Sequence, residues 1–207
     1  MKLGSFVAFG ILLVSCGSQT TPSYFLSHHP QDTSSRPLRH YPVARQGKLT
    51  AWLTSDHVSP ASDWLYAPGD PNPKYQIVGV IRSGSMPEAA KHDGSFLVVS
   101  GYEGPLFQLW QGVEAQGRLF TGEGGWIPVT IRQDEAVNSW VRVPQGRAIG
   151  GWSGFPIVIG DPNRPDAIAG AMWYKSNTNP TLGGAASTRM LQPWLGKLKL
   201  ADFVTKR

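Results

Sequence analysis

The chain has 207 residues, with 19 Lys and Arg against 14 Asp and Glu, a formal net charge of +5, and only 16% charged residues. Spread without a basic run, that mild excess argues against a nucleic-acid partner. The 24 Gly and 17 Pro argue against long helices and for turns and short strands, and the single cysteine, Cys16, excludes an internal disulfide.

At the N-terminus Lys2 provides a short positive start, and Phe6 to Val14 is an apolar run too short to span a bilayer. The run ends in Leu13-Val14-Ser15-Cys16-Gly17, which resembles the bacterial lipoprotein signal. That resemblance implies a signal peptide over 1–15 and a lipidated Cys16 as the first mature residue. Gly17, where aspartate would stand, resembles the pattern that does not retain a lipoprotein at the inner membrane. The expected location is therefore the cell envelope, at the periplasmic face of the outer membrane or the cell surface. An ordinary secretory peptide cut at another small residue is the other reading.

Residues 16–45 are rich in Ser, Thr, Pro and His with no apolar period and read as a flexible tether, with a span on the order of 30 Å. His28, His29 and His40 lie in it, and without a scaffold or nearby Cys or Asp ligands they read as solvated linker residues, so no metal is expected. From Gly47 onward, short apolar or alternating runs recur between Gly, Pro and Asp breakers. They are Leu49–Thr54, Tyr75–Arg82, Ser95–Ser100, Leu106–Trp110, Trp126–Arg132, Ser139–Val143, Pro156–Ile159 and Ala167–Trp173. Such spacing predicts an antiparallel all-β sandwich or barrel. A helical signature appears only near the end, where Ser187 and Thr188 are candidate caps for Met190, Leu191, Trp194, Leu195 and Leu198, with Pro193 breaking or starting a turn.

Two segments carry chemistry: Leu53-Thr54-Ser55-Asp56-His57-Val58, and Gly150-Gly151-Trp152-Ser153-Gly154-Phe155-Pro156. Serine is a poor nucleophile at neutral pH and needs an imidazole to take its proton and fixed N–H dipoles to hold an oxyanion. The Gly-x-Ser-x-Gly elbow fails because Phe155 stands two after Ser153, and no Ser-x-x-Lys occurs in the chain. A turn serine in a Gly-rich hairpin would account for the glycines here, but not for Pro156 and the apolar strand behind it.

Both segments resemble the trypsin/chymotrypsin-like serine peptidases, and the order histidine, aspartate, serine is that of their triad. Departures fall at Ser55-Asp56, Trp152 and Phe155. The resemblance implies two packed six-stranded antiparallel β-barrels, about 46–105 and 106–190, closed by a C-terminal helix over about 187–200. It implies a lipid-anchored endopeptidase with His57 as general base, Ser153 as nucleophile, and the N–H groups of Gly151 and Ser153 as oxyanion hole. No metal or organic cofactor is implied, and the partners are a protein or peptide substrate and the membrane through the lipid. Asp93, which precedes the strand Ser95–Ser100, is preferred as the orienting acid over Asp63 and Asp70, which sit in a Pro-rich loop. Asp56 is set aside because neighbouring side chains in an extended segment diverge. Trp152 stands where a zymogen aspartate would, which makes activation by a new N-terminus unexpected. Phe155 either packs into the second barrel or crowds the site, and Arg147 faces either the pocket base or solvent. The other readings are an inactive fold serving as a protein-binding module, and a glycan-binding lipoprotein using Trp64, Trp110, Trp126 and Trp140.

Overall fold

The computed structural model describes residues 24–31, 38–58, 60, 62–85, 94–122, 125–133, 138–144 and 152–205. A first group of strands comprises β1 (Phe25–Leu26), β2 (Arg39–His40), β3 (Pro42–Gln46), β4 (Leu49–Ser55), β5 (Trp64–Tyr66), β6 (Pro73–Ile81) and β7 (Gly94–Ser100). A second group comprises β8 (Glu114–Phe120), β9 (Trp126–Gln133), β10 (Asn138–Arg142), β11 (Pro156–Asp161), β12 (Arg164–Lys175) and β13 (Leu182–Ala186). One helix follows among the described residues, α1 (Thr188–Leu195), and then a single 3-10 turn, Leu200–Phe203. The expected all-β class therefore holds.

The first group forms one seven-stranded antiparallel sheet in the order β2-β1-β5-β6-β7-β4-β3. Laid flat, such a sheet would be roughly 29 Å wide, at about 4.8 Å per strand spacing. Its two edge strands, β2 and β3, are nevertheless joined through the single residue Tyr41, and Cα atoms two residues apart cannot separate by more than about 7 Å. The sheet must therefore roll until its edges meet. The second group closes fully: its order is β10-β13-β12-β11-β8-β9, and β9 pairs back onto β10.

Period-2 alternation explains how the first sheet serves two cores. Trp52 on β4 and Leu97 and Val99 on β7 turn into the roll with Phe25, Leu65 and Ile77. There the rings of Phe25, Trp52, Tyr75 and Tyr102 pack edge to face, the closest pair, Trp52 and Tyr102, at 4.9 Å between centroids. Ala51 and Leu53 on β4 and Phe96 and Val98 on β7 turn the other way, onto Val158, Ile168 and Ala171 of the barrel and Leu191 and Leu195 of α1. Each fully buried aliphatic side chain of this kind contributes roughly 2 kcal/mol.

The region expected to be a tether over 16–45 needs correction. Phe25 and Leu26 pair with His40, Arg39 and Tyr66, and Phe25, His28, His40, Tyr41 and Val43 are buried. The first sheet thus starts well before residue 46, because Phe25 fills the roll and a two-residue strand leaves no periodic signal. Arg39 lies with its guanidinium 4.0 Å from the Phe120 ring and 4.3 Å from that of Tyr24, which ties this segment to the barrel by cation–π contact. His28 and His40 are not solvated linker residues, and His40 Nε2 shares a 2.8 Å hydrogen bond with Ser27 Oγ.

Leu106–Trp110, expected as a strand, is the crossing between the two sheets and makes a single parallel bridge, Leu109 to Ile168. The crossing is held by Gln133, whose side-chain N–H groups donate to the Trp110 and Gly112 carbonyls. Its Oε1 accepts from Ser187 Oγ at 2.8 Å and from the Arg189 N–H at 3.2 Å. Ser187 therefore stands at the N-cap position of α1 but gives its hydroxyl to Gln133 rather than to the helix. After α1 the chain returns to the first sheet, where Leu200 N–H donates to Gln46 Oε1 and Thr205 N–H to the Val78 carbonyl, both at 2.8 Å. Gly79 permits that crossing, since a Cβ there would lie 2.0 Å from the Phe203 carbonyl oxygen.

Burial lowers the pKa of His40 to about 4, with His28 nearby adding to the effect against a main-chain contact at Leu53. The folded state thus binds fewer protons than the unfolded chain between pH 6.5 and about 4, so stability is highest above that window and falls as the pH drops through it. The loss should be about 3 kcal/mol. Urea unfolding at pH 7 and pH 4 should register it, and His40→Gln should flatten the dependence; an equal slope in wild type and variant would assign the acid lability to other groups.

Candidate active site

Strand β4 ends at Ser55, where the Val58 N–H donates back to the Ser55 carbonyl at 3.2 Å and turns the chain. His57 is exposed at this turn, and its Nδ1 shares a 3.1 Å hydrogen bond with Oγ of the buried Ser55. Residues two apart on an extended strand end face the same way, which is what brings Ser55 to the ring. Asp56 faces away, as expected. Its carboxylate accepts from the Ser83 hydroxyl, from the Ser83 N–H at 3.1 Å and from Arg82 Nη1 at 3.2 Å.

Ser153 sits on a tight turn before β11. The Phe155 N–H closes the turn on the Trp152 carbonyl at 3.1 Å, and Gly154 takes φ +79°, a left-handed conformation that favours glycine. Strand β12 grips the turn: the Gly154 N–H donates to the Met172 carbonyl at 2.8 Å and the Met172 N–H to the Phe155 carbonyl at 2.9 Å. Phe155 packs inward, buried in the barrel core with its ring 5.3 Å from that of Phe120, so it does not crowd Ser153. The Ser153 N–H meets no acceptor among the described residues.

The two turns meet. At Gly154 a Cβ would lie 3.2 Å from Val58 Cγ2 and 3.2 Å from Leu38 Cδ2. The residue after His57 therefore rests on the residue after Ser153, with the N-terminal segment closing the third side. Among the described residues the Ser153 hydroxyl donates to the Trp173 carbonyl at 3.4 Å, a long contact, and not to His57.

Of the other expected site residues, Asp93, Gly151 and Arg147 lie outside the described residues, as does Cys16. Gly94, which follows Asp93 in sequence, pairs directly with Ser55 and packs against Leu191 and Ala186. The rival Asp70 is engaged within its own loop, with Lys74 Nζ at 2.6 Å and the Asn72 N–H at 2.9 Å. Its pKa is lowered to about 2, first by the Lys74 bond and then by Asn72. Asp63 is exposed at the start of β5. The four tryptophans weighed as a glycan platform do not share a face: Trp64 and Trp140 are exposed on different sheets, Trp126 lies 5.3 Å from Phe120, and Trp110 packs against the barrel core.

Residue-level reading missed three contributors, namely the Ser55 hydroxyl, the Trp173 carbonyl and Leu38. Ser55 alone had a signal, its position two before His57 on the same strand. No family model matches the chain, and no curated protein matches it.

The close approach at Gly154 can be separated from backbone strain. Gly69 has nearly the same φ, +77°, with nothing within 4 Å of a Cβ. Gly69→Ala should cost about 1 kcal/mol from strain alone, and Gly154→Ala about 2 to 3 kcal/mol. Denaturant unfolding of both variants checks this; equal losses would mean that Leu38 and Val58 yield freely.

Proposed function

We propose that this chain is a serine endopeptidase of the trypsin/chymotrypsin-like type, anchored by lipid on Cys16 in a bacterial cell envelope and acting on protein or peptide substrates there. The observation that carries the reading is the contact of Val58 with Gly154, which brings the His57 and Ser153 turns together at the seam between a rolled sheet and a closed barrel. The Ser153 N–H, which has no acceptor among the described residues, supports it, since an oxyanion needs donors that are not already used.

In this mechanism His57 Nε2 takes the proton as Ser153 Oγ attacks the scissile carbonyl. The oxyanion is held by the N–H groups of Ser153 and Gly151, and His57 returns the proton to the leaving amine. Water then adds to the acyl-enzyme with His57 again as base, releasing the acid and restoring Ser153. For Nε2 to act as base, Nδ1 must carry the ring proton, and the Ser55 hydroxyl stands ready to accept it. Asp93 is the proposed acid that offsets the imidazolium charge. In this mechanism the Ser153 hydroxyl leaves the Trp173 carbonyl and turns toward His57 when substrate binds.

The bond from Ser153 to Trp173, with none to His57, favours one second reading: an inactive fold that binds protein partners. A fluorophosphonate probe separates the two, since labelling at Ser153 requires an activated hydroxyl. Ser153→Ala and His57→Ala should each abolish turnover, with the double variant hardly worse than either, because such groups act as a unit. In the same assay Asp93→Asn should lower kcat by a factor on the order of 10⁴, while Asp63→Asn and Asp70→Asn do little. Multiplicative losses would argue against a shared proton transfer, and an unlabelled wild type would leave only the binding reading.

Anchoring has its own test. Cys16→Ser should abolish incorporation of labelled fatty acid and release or stall the protein; a variant that still carries acyl chains would overturn the lipoprotein reading.

A further inference from the structure

Arg39 is a cation held among aromatic rings. Its guanidinium carbon lies 4.0 Å from the centre of the Phe120 ring, 4.3 Å from that of Tyr24 and 5.5 Å from that of Trp126. Among the described residues its side chain forms no hydrogen bond or ion pair. Of its three nitrogens only Nε is closed to solvent without a partner, so the two Nη groups form the edge that solvent reaches. Burial pushes the guanidinium pKa down, and the groups that oppose this are Tyr24 and Tyr41. A ring over a guanidinium covers a face of its plane, whereas the N–H groups lie in that plane and point outward at the edge. The three rings therefore hold the cation and use none of its donors. What remains open is a fork matched to the two oxygens of a carboxylate.

That fork lies beside the Ser153 turn. Leu38, the preceding residue, is the side chain that comes within 3.2 Å of a Gly154 Cβ. On the barrel side, the Phe120 ring that meets Arg39 packs at 5.3 Å on Phe155, two residues after Ser153. The guanidinium is thus one residue removed from the Gly154 contact and one ring removed from Phe155. A few residues of extended chain, at about 3.3 Å each, cover such a separation.

We propose that Arg39 is a specificity-determining residue, which receives a carboxylate of the polypeptide substrate on its Nη1 and Nη2 groups a few residues from the scissile bond. This rests on the peptidase reading, and the carboxylate belongs to an acidic side chain or to the substrate's C-terminus. Tyr24, Phe120 and Trp126 restrict the arginine before substrate arrives, so less side-chain freedom is lost on binding, and their apolar surroundings strengthen the ion pair.

Binding is tested on the full chain carrying Ser153→Ala, by following the Arg39 Nε–H signal in NMR spectra, assigned by its loss in Arg39→Met. N-acetylglutamic acid α-amide offers a side-chain carboxylate, N-acetylglycine a terminal one, and N-acetylglutamine α-amide neither. At least one acid should shift the signal and the neutral amide should not, with added salt weakening the response. Cleavage is tested with wild type and a random-sequence peptide library, made once with free C-termini and once with C-terminal amides. Asp or Glu should be enriched on the order of tenfold at one fixed position near the cut bond, or cuts should fall at a fixed distance from a free C-terminus and vanish on amidation. Arg39→Met should erase that preference, and Arg39→Lys, which keeps the charge without the fork, should reduce it severalfold. Arg164→Ala, on the hairpin between β11 and β12, should leave it unchanged, and circular dichroism confirms that each variant is folded. An Arg39 signal that answers neither acid, or answers the neutral amide equally, would overturn the proposal, as would a preference that persists in folded Arg39→Met. Failure of the peptidase reading looks different: wild type would neither cut the library nor take the fluorophosphonate probe, while the Arg39 signal still shifted with the acids.

Discussion

Everything about the candidate site depends on how closely two turns approach at Gly154. The glycine contributes twice there. Its φ of +79° turns the chain between Ser153 and β11, and its missing Cβ lets Val58 and Leu38 come within 3.2 Å of where that atom would stand. Either demand alone could be met by other means: an asparagine tolerates a left-handed turn, and a wider loop tolerates a side chain. Both together leave glycine alone, because a side chain that accepted the turn would still push the His57 segment away.

Several features of the fold hold that approach fixed. The shared core of Ala51, Leu53, Phe96 and Val98 against Val158, Ile168 and Ala171 sets the distance between sheet and barrel, and α1 is wedged beside it through Leu191 and Leu195. The polar hub at Gln133 fixes the crossing segment and the start of α1 in one buried group. Each bond in such a hub is modest, but losing the amide would strand several buried partners at once, and unsatisfied groups cost more than satisfied ones return. The C-terminal turn then straps the barrel side of the chain back onto Gly79 and Gln46 of the first sheet.

The His57 end is organised by a division of labour within three consecutive residues. Ser55 is buried and faces the ring, Asp56 is committed to Arg82 and Ser83, and His57 is exposed. Locking Asp56 to the neighbouring loop fixes the turn without placing its charge on the imidazole. Among the described residues the Ser55 hydroxyl meets Nδ1, a neutral partner that can set a tautomer but cannot balance an imidazolium. This is why a separate acid is part of the proposed mechanism.

By itself the sequence determined what local chemistry determines. Short apolar or alternating runs marked β4, β6, β7, β9, β10, β11 and β12, and Ser187-Thr188 marked the helix start. It did not mark β1 and β2, because two-residue strands have no period. Nor did it mark β8, whose outward residues are polar and whose inward ones include Gly117, or β13, whose Gly and Ala residues carry no hydrophobic signal. The segment Leu106–Trp110 has the apolar content of a strand but spends it on the crossing between sheets. Only the tertiary structure decided that the first sheet rolls shut through Tyr41, that Phe155 turns into the barrel, and that His57 and Ser153, nearly a hundred residues apart, share one seam. These are contacts between segments distant in sequence, and they depend on which faces the folded sheets bury against each other, a property that no local pattern of residues encodes.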